Sequence, residues 1–225
     1  MKIDIITIFK EMFNEFLDNS IIKNAIIKGK VEINLHDLRD YSHNKHKKID
    51  DTPYGGGAGM LMQFPPIYDA IHKLKKKNSK VIYLSPQGPL LNQKSSIEFS
   101  KIEHLILICG HYEGIDDRVL NFVDYEVSIG DYVLTGGELP AMVLCDSIIR
   151  LLPGVIEEES VIEDSLYNGI LKYPQYTKPE EYKGIKVPEV LLSGHHENIR
   201  NWREAMSLEQ TRKKRPDLLK KDIES

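Results

Sequence analysis

The chain has almost no cysteine: Cys109 and Cys145 are the only two in 225 residues, each inside an apolar segment. They read as small buried hydrophobes rather than a disulfide or a metal pair, and a structural zinc site is excluded. There is no uninterrupted apolar run long enough to span a bilayer. The apolar N-terminus carries Asp4 and lacks a cleavage-type ending, so neither a membrane span nor a secretory signal is read, and a cytoplasmic location is expected. Positive charge is not in excess, since 30 Lys and Arg stand against 34 Asp and Glu for a net charge of −4. That excludes a uniformly basic nucleic-acid binder but leaves room for a basic patch. The cluster Gly55-Gly-Gly-Ala-Gly59 lacks the Lys-Ser/Thr ending of a P-loop, and no G-x-G-x-x-G joins the first strand to the first helix. Nucleoside triphosphate and dinucleotide sites are therefore not expected. Internal repeats and low-complexity tracts are absent too.

What is there suits a globular α/β protein, with 41% hydrophobic and 28% charged residues, enough to bury a real core. Strand signals at 2–8, 31–38, 80–85, 104–109 and 125–129 alternate with helical patterns, which predicts a mostly parallel sheet with helices on both faces. Helices are expected from about Lys10 to Lys28, from Pro65 to Lys77 and from Glu138 to Leu152. Pro153-Gly154 and the acidic run Glu157-Glu158-Glu159 then mark a boundary. The expected organisation is an α/β domain over 1–156, a flexible linker over 157–169 and a small helical domain over 170–225. In that last part helix signals start at Asn198 and again at Ser207, where Ser207-Leu-Glu-Gln210 has the pattern of a capping box.

Three segments that follow apolar strands share one character. Tyr83-Leu-Ser-Pro-Gln-Gly88, Cys109-Gly-His-Tyr-Glu-Gly114 and Ser128 to Met142 are each interrupted by glycine or proline. Such backbone permits left-handed torsions and close approach of a ligand, and ligands of open α/β sheets bind at the carboxyl ends of strands. Three strand ends therefore point to one pocket. The long segment 41–64, with its lysines and glycines, reads equally as a lid and as a simple flexible loop.

Basic residues gather in Lys45 to Lys48, Lys73 to Lys80 and the set Arg200, Arg203 and Arg212 to Arg215. Arg200 and Arg203 flank Trp202 near His195-His196, a mixture suited to folded RNA, against the alternative of a solvated helix face. Adjacent histidines do not make a metal site. Asp164 reads by itself as the cap of a turn.

Taken in order, Asp51 to Met62, Tyr83 to Gly88, Cys109 to Val119, Ser128 to Met142, Tyr173 to Pro179 and Leu192 to Glu197 resemble the signature blocks of the bacterial tRNA (guanine-37-N1)-methyltransferases, nearly end to end. The resemblance implies a SPOUT-type fold with a trefoil knot and a homodimer whose active site lies at the subunit interface. It implies an enzyme that transfers a methyl group from S-adenosylmethionine to N1 of guanosine 37 of tRNA. Cofactor binding falls on Tyr83, Leu84, Ser85, Pro86, Gln87, Gly88, Gly110, Glu113, Ile129, Gly130, Asp131, Tyr132, Val133, Leu134, Gly136, Gly137 and Pro140. Asp164 corresponds to the general base, with Glu163 as the fallback, and Arg150 to its partner. The tRNA contacts are assigned to Gly55, Gly56, Gly57, His195, His196, Arg200 and Arg203. His111 stands where some relatives have arginine. A magnesium ion is expected to be weakly held at most, with no dedicated ligands. The alternatives are a SPOUT enzyme acting on another RNA position and a non-catalytic RNA-binding protein. Asp164 and the C-terminal blocks argue against the first, and the intact pocket glycines against the second.

Overall fold

The computed structural model describes residues 1–219, and within them five strands pair in parallel in the order β2-β1-β6-β5-β7. They are β1 (Lys2–Thr7), β2 (Glu32–Asp37), β5 (Ser79–Leu84), β6 (His104–Cys109) and β7 (Tyr125–Val127). The numbers β3 (Asp50–Asp51) and β4 (Leu61–Met62) belong to a separate antiparallel ribbon. The sheet is thus parallel throughout. Its central strand β6, His-Leu-Ile-Leu-Ile-Cys, is buried along its whole length, the continuous apolar run expected of a strand covered on both faces.

Between β1 and β2 lie α1 (Asn14–Leu17) and α2 (Ser20–Ile27), followed by α3 (Phe64–Leu74), α4 (Gln93–Phe99) and α5 (Glu138–Ile149). Ile3, Ile5, Leu105 and Leu107 pack on one face of the sheet with Ile22 and Ala25 of α2, Phe99 of α4, and Leu144 and Ile148 of α5. Ile6, Val81, Ile106 and Ile108 pack on the other with Ile67, Ala70 and Ile71 of α3. The alternation of side chains along a strand sends neighbouring residues of β1 into opposite layers.

The single helix expected over 10–28 is broken in two. Asn19 takes an extended backbone, and its side-chain amide donates to Glu15 O at 2.9 Å, the carbonyl that a continuing helix would offer to a main-chain N–H. Ser20 follows with φ of 56°.

The chain leaves β6, passes beyond β5 to form β7 at the sheet edge, and then returns. Ser128 N–H donates to Pro89 O at 3.0 Å, and Gly137 N–H donates to Gly110 O at 2.9 Å. Residues 128–137 therefore cross the carboxyl ends of β7, β5 and β6 before α5 begins. This crossing decides where the site lies.

The chain divides into two compact units, Met1–Ile156 and a second that starts at Glu157. The second contains α6 (Glu158–Ile162), a hairpin of β8 (Glu181–Tyr182) and β9 (Ile185–Lys186), α7 (Glu189–Leu192) and α8 (His196–Lys214). The two helix signals at 198 and 207 are one helix. Ser207 is buried inside it and its carbonyl accepts from Thr211 Oγ1 at 2.7 Å, so the capping-box pattern caps nothing. No glycine or proline separates the two signals, and the backbone simply continues. The hairpin was not foreseen, because its turn, Lys183-Gly184 with both φ positive, lacks the usual Asn or Asp. Among the described residues no helix is long and apolar enough to cross a membrane.

Candidate active site

The three glycine-interrupted segments come together. Leu84, Cys109 and Val127 end their strands side by side, and the loops that follow enclose a cavity of about 280 Å³. It is lined by Tyr83, Leu84, Ser85, Pro86 and Gln87 from the first loop, and by Gly110 and Glu113 from the second. Ile129, Gly130, Tyr132, Val133, Leu134, Gly136, Gly137 and Pro140 come from the crossing segment and the start of α5. Of the residues that the resemblance assigns to the cofactor, Gly88 and Asp131 do not line it. Gly88 sits behind the wall, where a Cβ would come within 2.6 Å of the Glu126 carbonyl carbon, and Asp131 is exposed.

The pocket glycines are there for space. A Cβ on Gly137 would lie 2.6 Å from Cys109 Cα, and one on Gly136 would collide with the His111 ring and the Glu138 carboxylate. One on Gly110 would meet the Tyr83 hydroxyl at 3.0 Å. None of these three has positive φ. In contrast Gly55, Gly56, Gly57 and Gly59 all have φ between +78° and +135°, and around Gly55 and Gly56 the surroundings are open. There the missing side chain serves the backbone torsion.

Below the crossing lies a buried carboxylate. Glu138, the first residue of α5, is 1% exposed. Its Oε1 accepts from Thr7 Oγ1 and its Oε2 from His111 Nε2–H, both at 2.6 Å. The ring of His111 lines the cavity and meets Phe9 edge-on at 5.0 Å. A buried charge held by two donors ties the end of β1, the loop after β6 and the head of α5 into one seam. His111, Asp117, Glu126 and Ser128 also line the cavity and were not assigned to it. Glu126 had a signal available, since it pairs with Tyr83 across β5 and β7 and so shares its face. Burial, with the negative charge of Glu126, pushes the Tyr83 phenol up to about 12, so it stays a neutral donor. Burial also pushes up the thiols of Cys109 and Cys145, the latter to about 12, which makes both inert as nucleophiles.

The ribbon β3–β4 and its glycine loop stand against this cavity. Met62 N–H donates to Gly114 O and Glu113 N–H to Met60 O, both at 3.0 Å, and Gly59 abuts the Glu113 side chain.

The second unit has a cavity of its own, about 870 Å³, lined by Glu163, Asp164, Lys172, Tyr173, His196, Arg200 and Arg203 among apolar residues such as Ile170 and Leu208. Lys172 Nζ is 3.8 Å from Asp164 Oδ1. Tyr173 donates to Glu163 Oε2 at 2.9 Å, and the Arg203 guanidinium stacks on the Tyr173 ring at 4.7 Å. Among the described residues Arg203 Nε is buried without a hydrogen-bond partner. His195, at the N-cap of α8, lies outside this cavity. Trp202 packs near Tyr176, with ring centroids 6.4 Å apart. Arg150 caps the far end of α5, in the first unit. Asp164 and Arg150 thus belong to different units. No group of three or more His, Cys, Asp or Glu among the described residues could hold a metal ion.

Comparison with known proteins is consistent along the chain. The family described as tRNA (Guanine-1)-methyltransferase TrmD matches residues 1–221. The tRNA (guanine-N(1)-)-methyltransferase of Acholeplasma laidlawii is 62% identical over 220 residues, covering 97% of this chain and 90% of that protein. Enzymes of the same name from Dictyoglomus turgidum and Clostridium beijerinckii are 56% and 57% identical. Each covers 98% of this chain, and the alignments span 91% and 93% of those proteins.

Proposed function

The chain belongs to the tRNA (guanine-1)-methyltransferase family, and on that premise we propose that the guanosine it methylates at N1 is the one at position 37 of tRNA, next to the anticodon. The observation that carries the reading is the cavity at three strand ends, walled by main chain where no Cβ has room. S-adenosylmethionine fits such a wall. Leu84, Ile129, Leu134 and Pro140 offer apolar surface to its adenine. The carboxylates of Glu113, Asp117 and Glu126 complement a ligand with cationic sulfonium and ammonium groups. When bound, it supplies an electrophilic methyl group.

The chain's own residues then have to make guanine N1 a nucleophile, because that nitrogen carries a proton at neutral pH. Asp164 is the general base that removes it, reached through the cavity of the second unit where it is about one-third exposed beside Lys172. Negative charge moves towards O6, and Arg150 stabilises it through a charge-assisted hydrogen bond. His195, His196, Arg200 and Arg203 hold the RNA from residues 170–225, and Gly55, Gly56 and Gly57 hold it from the first unit. Residues 157–169 order the base when tRNA arrives.

The remaining features follow from the same reading. The passage of residues 128–137 between the loops after β5 and β6 is the threading step of a trefoil knot. The exposed Leu139 and Val143, one turn apart on α5, and Met12 on the turn packed against it form the face for a second copy of the chain. The test is incubation with labelled S-adenosylmethionine and unmodified tRNA, followed by nuclease digestion and mass spectrometry. Methyl on N1 of guanosine 37 is expected. Methyl on a ribose or another base would refute the assignment.

A further inference from the structure

Tyr54 makes no packing contact: its side chain is fully exposed, at 101% of the reference area. It is the most exposed of the chain's large apolar side chains among the described residues, and it sits on a turn. Gly56 N–H donates to Pro53 O at 3.3 Å, which closes a turn with Tyr54 at its second position and Gly55, φ +83°, at its third. The left-handed glycine at the third position is the arrangement of a type II turn. The ribbon β3–β4, which this turn helps to connect, is anchored at the cavity: Met62 N–H donates to Gly114 O and Asp116 N–H donates to Met62 O at 2.9 Å. The connection that carries Tyr54 thus starts and ends on a ribbon tied by main-chain hydrogen bonds to the loop that lines the cavity.

Cationic side chains lie on the segment leading into this ribbon and at Arg118. Arg118 lies over the Phe64 ring at 5.0 Å and is held by two hydrogen bonds from its guanidinium to Asp116. The guanidinium is kept above its ordinary range chiefly by Asp116, with a smaller contribution from the Tyr54 phenol. Lys48 pairs with Asp51 at 3.2 Å, and Lys45 is exposed on the same segment. An aromatic face backed by lysine and arginine is the chemistry that stacks on a nucleobase while its phosphates are neutralised.

We propose that Tyr54 is a stacking platform for an unpaired base of the substrate tRNA next to the target guanine, a positioning contact made outside the cofactor cavity. The proposal rests on the tRNA reading above. Its test uses the full-length enzyme with Tyr54→Ala, Tyr54→Phe and Tyr54→Trp. Tyr54→Ala is expected to raise KM for tRNA about 10-fold, in keeping with the loss of one base stack, while Phe and Trp stay within about threefold of wild type. The Kd for S-adenosylhomocysteine should stay within about twofold of wild type in all three. Direct tRNA binding by fluorescence anisotropy should weaken in parallel with KM. An unchanged KM and tRNA affinity in Tyr54→Ala would overturn the proposal. So would a weakened S-adenosylhomocysteine Kd, which would assign the ring to the cofactor, or a Phe variant as impaired as Ala, which would assign the effect to the hydroxyl. If the wild type binds tRNA but places no methyl on it, the functional reading fails, and the anisotropy comparison still decides the role of Tyr54.

Discussion

Glu138 and His111 lie 27 residues apart in sequence, yet Glu138 Oε2 accepts from His111 Nε2–H at 2.6 Å inside the seam beneath the cavity at the strand ends. Removing Glu138 takes the acceptor from both His111 and Thr7, whereas removing the His111 ring leaves Glu138 with Thr7 alone. Glu138→Ala is therefore expected to destabilise the fold by about 3–5 kcal/mol in urea denaturation, the usual cost of breaking a buried pair from one side. His111→Asn, which keeps a donor, should be far milder. A loss below about 1 kcal/mol in Glu138→Ala would show that the seam does not depend on the pair.

Glycines of the two kinds should respond differently to alanine. Gly137→Ala drives a methyl group into Cys109 Cα and should cost about 1–3 kcal/mol, with at least a tenfold loss in affinity for S-adenosylhomocysteine. Gly56→Ala meets open space and pays only for its torsion, about 1 kcal/mol, with no change in cofactor affinity. Calorimetric titration of both variants gives the comparison.

Acid should unfold the first unit partly through Asp4. Burial by itself would raise this carboxyl, but hydrogen bonds from His36, Lys2, Asn34 and His104 bring it down to about 2 from 3.8. Between those values the unfolded chain holds a proton that the folded chain does not. The stabilisation, about 2 kcal/mol, is therefore full above pH 3.8 and lost as pH falls towards 2. Asp4→Asn should flatten that part of the stability-versus-pH curve, and an unaltered slope there would exclude Asp4 as its source.

Both thiols should be silent in the folded protein. Cys109 and Cys145 are buried and hard to ionise, so a thiol reagent at pH 8 should label neither until denaturant is added. Rapid labelling under native conditions would contradict the packing described for β6 and α5.

Much of this was legible beforehand, and the exceptions share a cause. The strands of the sheet follow directly from runs such as Leu105 to Cys109, because a covered parallel strand leaves little else for its residues to be. The convergence of three strand ends follows from the punctuation after each. What did not show was interaction across distance. Asp4 is an acidic intruder in an apolar run until His104, 100 residues later, is seen bonded to it. Glu138 resembles an ordinary first-turn acid until Thr7 and His111 appear at its oxygens. Local readings also erred where a single side chain decided the outcome, as when the Asn19 amide ended a helix or when Ser207 proved buried in the middle of one.

The account stands or falls on the Asp164 carboxylate taking the proton from guanine N1. Single-turnover methylation of tRNA by Asp164→Asn, measured at saturating S-adenosylmethionine, should be slower than wild type by at least about 100-fold, with S-adenosylhomocysteine binding unchanged. A wild-type rate in that variant would contradict the account.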